Sequence, residues 1–176
     1  MVKMVMTKNY RVLIAVLLIV SLSAGCTTPS AESDTLERAD KQLAADLKMY
    51  QRVWDKVVNE RRIELINAKH FDENVTAVVS PENIVGIKAF RDYYNNYLTG
   101  FSDAKFTIID AFGQGNRIVK HWNFKGTHDG NFFNVPATGK KVDLSGTTLV
   151  IMKDGLILQE QDFFDSLSLY KQLGLM

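Results

Sequence analysis

The residues best suited to chemistry are few. The chain has 176 residues, with three histidines and one cysteine. His128 sits in residues 126–142, GTHDGNFFNVPATGKKV, a stretch dense in glycine, proline, aspartate and phenylalanine. An imidazole titrates near neutrality, so a histidine here could act as a general base. Strand parity places His128 in phase with Trp122 and Phe124, on the side expected to face a core. A buried imidazole is more often hydrogen-bonded structure than a reactive group. His121 has the opposite parity, and His70 falls in a loop after a helix. No two histidines share a metal-binding spacing, so no metal site is expected. Ser145 and Ser166 lack the glycine pattern of a nucleophile elbow. Tyr93, Tyr94 and Tyr97 read as an aromatic group on one helix, fit for core and rim packing.

These residues need a scaffold, and the composition supplies one. At 46% hydrophobic and 23% charged, the chain suits one globular domain with a real core. Lys3, Lys8 and Arg11 stand in an acid-free N-terminal segment; without them 18 basic residues face 20 acidic ones. A near-neutral body lacks the clustered positive field that a nucleic-acid surface needs. The N-terminal segment has its own logic. The three basic residues precede an apolar run at 12–20, too short to span a bilayer, and then Leu22-Ser23-Ala24-Gly25-Cys26. That order describes a secretory signal peptide. Its ending resembles the lipobox of bacterial lipoproteins, in which the cysteine is lipidated and the chain is cut before it. The resemblance implies residues 1–25 as signal peptide, Cys26 as the lipidation site, and a domain held outside the cytoplasm at the cell envelope. With Thr27 after the cysteine, the pattern resembles outer-membrane sorting, periplasmic side, in a host with two membranes. A lone cysteine permits no internal disulfide.

Residues 26–35 read as a polar tether, and residues 36–176 as the folded domain. Leu43, Leu47, Tyr50, Trp54 and Val57 recur at threes and fours, which predicts a long helix from Leu36 to about Arg61. Residues 71–75 read as a break, and 77–79 as a short extended run. Ser80-Pro81-Glu82-Asn83 is expected to start a second helix, closed at Gly100. After Phe101 the period falls to two. Phe106, Ile108, Asp110 and Phe112 share one phase; Ile118, Lys120, Trp122 and Phe124 share the next. Residues 142–152 and 156–164 read as two further strands, joined by an Asp154-Gly155 turn. Asp165 is a natural N-cap for a short terminal helix. Helices followed by consecutive antiparallel strands predict an α+β fold, with helices packed on one face of a curved sheet. Such a cone offers an apolar pocket at its open end.

Four blocks then stand in a telling order: Gly86-Ile87-Lys88-Ala89-Phe90 leading to Phe101-Ser102-Asp103; Gly126-Thr127-His128 with Gly130 and Phe132; Pro136-Ala137-Thr138-Gly139-Lys140; and Asp154-Gly155 followed by Gln172-Leu173-Gly174. Together they resemble the SnoaL-like polyketide cyclases, or ester cyclases, of the NTF2-like superfamily. The resemblance covers nearly the whole domain. It implies the NTF2-like cone, an intramolecular aldol closure needing no metal or cofactor, and an aspartate as general acid/base. Counting between the last two blocks puts that aspartate at Asp162, with Phe163 and Phe164 beside it. A carboxyl against an apolar wall has its charged form disfavoured. His128 or Gln161 would support it. Where the founding cyclases carry a partner histidine this chain has Thr148, which can hydrogen-bond but cannot shuttle a proton. Gln161 stands near a common tryptophan position. Trp54, Tyr94, Trp122 and Phe133 are the expected pocket wall. The implied function is a lipid-anchored protein binding a small apolar or amphipathic molecule, with cyclase- or isomerase-type acid–base catalysis. The alternative is a non-catalytic binding module at the cell envelope, which Thr148 favours. The superfamily also implies a homodimer through the outer face of the sheet.

Overall fold

The computed structural model describes residues 31–176, so the expected signal peptide and Cys26 lie outside the described residues. Helix α1 runs Ala31–Asn59. It begins before Leu36, so residues 31–35, expected as tether, are helical. Glu32 and Asp34 in its first turn suit the positive end of the helix dipole. Its inward stripe is Tyr50, Val53, Trp54 and Val57, all buried. At its end Asn59 brackets Phe106, donating to the Phe106 carbonyl and accepting from its N–H, each at 2.8 Å. Arg61 then reaches across to the carbonyls of Leu98, Phe101 and Ser102 at 2.6–3.1 Å, clamping the second helix to the first.

A short 3-10 turn, Ile63–Leu65, leads to strand β1, Phe71–Ala77. The expected break at 71–75 is therefore a strand. Its partner explains why local pattern hid it: β1 pairs in parallel with a strand from the far end of the chain. Strand β2, Ile84–Val85, adds to its other edge. Ser80-Pro81-Glu82-Asn83 does not open the second helix, because residues 84–85 are held in the sheet. The turn into helix α2, Ile87–Gly100, is made at Gly86, at a φ of +90° that favours glycine. Gly100 ends the helix for a packing reason: a Cβ there would stand 2.7 Å from that of Phe132.

Strands β3 (Lys105–Gln114), β4 (Arg117–Thr127), β5 (Lys141–Lys153) and β6 (Leu156–Phe164) follow as an antiparallel meander, and Ser166–Gln172 forms α3. The sheet order is β2-β1-β6-β5-β4-β3. Asp154 and Gly155 both have positive φ, as a two-residue hairpin of this hand requires. Asp165 caps α3, accepting from the Ser168 N–H at 2.9 Å. The sheet is curved and unclosed, and the helices pack on its concave side around one core. This is the α+β, NTF2-like cone expected from the sequence.

Two one-residue bulges re-aim side chains. On β3, Ile108 opposes Trp122 but Asp110 opposes His121, so Ile109 is the extra residue. Beyond it the alternation reverses, and Phe112, which strict alternation puts in phase with Phe106 and Ile108, is exposed. On β6, Ile157 opposes Met152 but Gln159 opposes Ile151, so Leu158 is extra. Beyond it Glu160, Asp162 and Phe164 take the inward phase that Ile157 began. This bulge builds the site.

Gly146 on β5 lies under Trp122. A Cβ there would strike the Trp122 ring and stand 2.7 Å from the Phe163 carbonyl. Gly146→Ala is expected to destabilise the fold by roughly 1–3 kcal/mol through overpacking. The measurement is the urea midpoint; an unchanged midpoint contradicts this packing.

Candidate active site

The inner cavity lies between α1, α2 and the last three strands. It measures about 60 Å³ and is walled by Trp54, Val57, Val58, Tyr94, Tyr97, Leu98, Trp122, Phe124, Leu144 and Phe164. Asp162 is the one acidic residue in that wall. Tyr97, Phe164 and Asp162 also border an outer groove of about 1070 Å³. That groove extends past Phe132, Phe133, Gln161 and Tyr170 to the chain around Val78–Glu82. A carboxylate thus stands where a small apolar chamber meets a wider entrance.

Two elements hold the Asp162 carboxylate. Across the β5–β6 ladder Asp162 opposes Thr148, whose hydroxyl donates to Oδ1. Thr148 is in turn fixed by Trp122, whose Nε1 donates to its oxygen at 2.9 Å. From α2 the Tyr94 hydroxyl donates to Oδ2 at 2.9 Å. Thr148 is fully buried and does not line the cavity; its work is to aim the acid. Thr148→Val keeps the shape but strands both the Trp122 N–H and a carboxylate oxygen. The expected loss is about 1–3 kcal/mol of stability, read from urea unfolding, because unsatisfied buried polar groups are costly. Thr148→Ser is expected to recover most of it.

Behind this wall lies a second layer that sequence reading missed. Glu160 is fully buried and absent from the lining of either cavity. Trp54 Nε1 donates to its Oε1 at 2.7 Å, and the Tyr94 hydroxyl stands 3.5 Å from its Oε2. Burial pushes its carboxyl up to about 7, and the Asp162 charge adds to that, while Lys120 and the Trp54 donor act the other way. Lys120, itself 3% exposed, packs its ammonium over the rings of Tyr50, Trp54 and Phe106 at 4.9–5.2 Å. Three cation–π contacts compensate part of the hydration it gives up. The Tyr50 hydroxyl is buried beside the Glu160 carboxyl, outside good hydrogen-bond geometry but close enough to favour its ionised form. Burial, then the neighbouring carboxylates, hold Tyr50 and Tyr94 well above the usual phenol range.

The expected site residues separate into three groups. Trp54, Tyr94 and Trp122 line the inner chamber with Asp162, and Thr148 sits directly behind it. Phe133 and Gln161 line the outer groove; Phe133 is 37% exposed and packs on Tyr93 and Tyr97. His128 joins neither cavity. Its Nδ1 pairs with the Thr138 hydroxyl at 3.0 Å, and its ring packs against Phe101 and Phe132. The structure therefore does not bring His128 to Asp162. Its neighbours explain the stretch around it: Asp103 accepts from the Thr127 N–H and hydroxyl at 2.6 and 2.8 Å, and Asp129 accepts from the Ser102 N–H at 2.9 Å. These bonds tie the β4–β5 connection to the segment after α2. Among the described residues, no cluster of three or more histidine, aspartate or glutamate side chains is arranged to hold a metal.

Comparison with known proteins decides the family. The model of the SnoaL-like polyketide cyclases matches residues 47–173. The chain belongs to the SnoaL-like polyketide cyclase family. Solved structures agree on the fold. A SnoaL-like protein from Jannaschia sp. CCS1 superposes with a TM-score of 0.69 at 18% identity, over 76% of this chain and 94% of its own. TsrD from Streptomyces laurentii gives 0.67 at 22% identity, over 75% and 97%. A SnoaL-like polyketide cyclase from Agrobacterium tumefaciens gives 0.59 at 19% identity, over 72% and 95%. At these identities the likeness carries the SnoaL-like fold alone. A search of curated protein sequences finds no match.

Proposed function

We propose that this SnoaL-like protein is an acid–base catalyst acting, without a cofactor, on a small apolar or amphipathic carbonyl compound. The observation that carries the reading is Asp162: one carboxylate, aimed by Thr148 and Tyr94, in a chamber wall that is otherwise aromatic and aliphatic. Asp162 would take a proton from the carbon next to the carbonyl. The resulting enolate would either accept the proton back at another atom, an isomerisation, or attack a second carbonyl of the same molecule. In the second case the new alkoxide recovers the proton from Asp162 and a ring closes. Neither route consumes a co-reactant. The test is proton exchange in D2O. A panel of apolar ketones and β-keto esters should gain deuterium at the α-carbon faster with protein than in buffer; no acceleration for any member contradicts the reading.

Thr148 supports a second reading, binding without turnover, because a hydroxyl can orient Asp162 but cannot shuttle its proton. In that case the chamber would retain the same ligands and leave them unexchanged. His128 is not assigned a catalytic part, since it lines neither the chamber nor the groove.

The setting of the domain belongs to the same proposal. The basic, apolar and LSAGC order supports export, lipidation at Cys26, and attachment to the cell envelope, with the domain outside the cytoplasm. The outward apolar residues Ile109, Phe112, Leu149 and Phe163 support a homodimer through the sheet.

A further inference from the structure

We infer that Glu160, sealed away from the chamber, is a positioning residue that acts on Asp162 through the hydroxyl they share on Tyr94. The inference rests on Asp162 being the working acid, and it begins from a cost. A carboxyl and an ammonium buried in one core are expensive, and well-packed apolar residues would serve stability as well or better. Yet Glu160 and Lys120 are both almost wholly buried, on adjoining parts of the same concave face. Stability alone does not account for them.

The geometry gives Glu160 something to do. Tyr94 has one hydroxyl proton and two carboxyls to offer it to. Asp162 Oδ2 at 2.9 Å is favoured over Glu160 Oε2 at 3.5 Å. While Glu160 is neutral, the Tyr94 proton belongs to Asp162, and the Glu160 O–H can itself turn toward the Tyr94 oxygen. The chain Glu160–Tyr94–Asp162 is then polarised in one direction and Asp162 is held by two donors. When Glu160 loses its proton it competes for Tyr94 and sets a second negative charge beside Asp162. The base is then less firmly aimed, and its charge is less well supported.

Every packed element contributes to that balance. From α1, the Trp54 N–H bonds Glu160 and the Tyr50 hydroxyl lies beside it, both favouring the ionised form. From α2 comes Tyr94. From β4 comes the Lys120 ammonium, which favours the ionised form; Asp162, on the same strand as Glu160, opposes it. From beside β1 only backbone reaches Glu160: the Val78 N–H donates to its carbonyl at 2.8 Å. Glu160 also acts on Asp162 directly through its charge, so removing the Tyr94 hydroxyl separates the relayed part of the coupling from the direct part.

The test uses the full chain, purified in mild detergent and labelled with carbon-13 at aspartate and glutamate carboxyls. The Asp162 signal is assigned by its loss in Asp162→Asn. It is expected to move with pH and inflect near 7, where Glu160 titrates. Glu160→Gln should remove that inflection. Tyr94→Phe should cut its amplitude to roughly half or less while Glu160 still titrates. In D2O exchange, the pH–rate profile of Glu160→Gln should lose the same inflection while keeping activity. An Asp162 signal that is flat across this range in the unmodified chain overturns the inference, as does an inflection undiminished in Tyr94→Phe. If Glu160→Gln fails to fold, the other two spectra still decide. None of the spectra requires turnover, so failure of the catalytic reading and failure of this one are separable.

Discussion

Asp162→Asn is expected to lower protein-catalysed deuterium exchange by about 100- to 10,000-fold, the range that positioned acid–base groups contribute. The fold should survive. Asparagine keeps the shape, its carbonyl can still accept from Thr148, and the Tyr94 hydroxyl can rotate to accept from the new amide. Binding should survive as well, because the remaining chamber wall is apolar. The affinity of an environment-sensitive apolar dye such as anilinonaphthalene sulfonate should therefore change little. Only proton transfer is removed, since an amide is not a base at neutral pH. Parallel loss of dye binding and exchange would mean that Asp162 supports the chamber; full exchange with intact binding would remove it from the chemistry. Asp162→Glu tests distance separately, since it retains the base and shifts it by one methylene.

The second large effect is on stability as a function of pH. Glu160 has its folded pKa raised from 4.5 to about 7 by burial. In the window between these values the folded chain holds a proton that the unfolded chain has released. Stability from this group is therefore fully present below about 4.5 and is lost as pH rises through about 7. At 1.36 kcal/mol per unit, the loss amounts to about 3 kcal/mol. Glu160→Gln carries no such proton and should not show the loss. Its stability should match that of the unmodified chain below about pH 4.5, where Glu160 is neutral in both the folded and the unfolded state, and exceed it by up to about 3 kcal/mol above neutrality. Urea unfolding on both sides of the window makes the comparison. His70 titrates nearby with the opposite sign, since burial lowers its pKa and favours its neutral form. Its contribution is common to both proteins and cancels in the difference. Asp72, Asp103, Asp129 and Asp143 are all held low and act only in stronger acid. Equal pH dependence in the two proteins would mean that Glu160 is ionised in the folded state throughout.

The two halves of the site were unequally legible in the sequence. The helical stripe carrying Trp54, the strand phase carrying Trp122, and the Asp154-Gly155 turn follow from local periodicity and turn chemistry, and the structure keeps all three. Asp162 came from family spacing rather than pattern. Glu160 was hidden by the Leu158 bulge. Strict alternation from Ile157 sends Gln159 and Gln161 inward, and the extra residue exchanges them for Glu160 and Asp162. The Ile109 bulge misdirects Phe112 in the same way. Lys120 stood in plain view, in phase with Ile118, Trp122 and Phe124. A lysine in an inward phase is the signal to follow, because it must find either solvent or an unusual cage. Strand β1 was missed because its partner lies at the other end of the chain. In the stretch around His128, Thr127 and Asp129 have structural work. They prove to be fasteners, with the carboxylates of Asp103 and Asp129 spent on backbone N–H groups and hydroxyls.

The central claim is that the chamber brings a carbonyl compound to Asp162. A crystal structure with a β-keto ester bound tests it most directly. The ester's acidic carbon is expected within about 3–3.5 Å of a free lone pair of Asp162, with Trp54, Tyr97 and Trp122 against its apolar body. A ligand found only in the outer groove, with Asp162 still turned to Thr148 and Tyr94 and nothing beside it, would rule out Asp162 as the base.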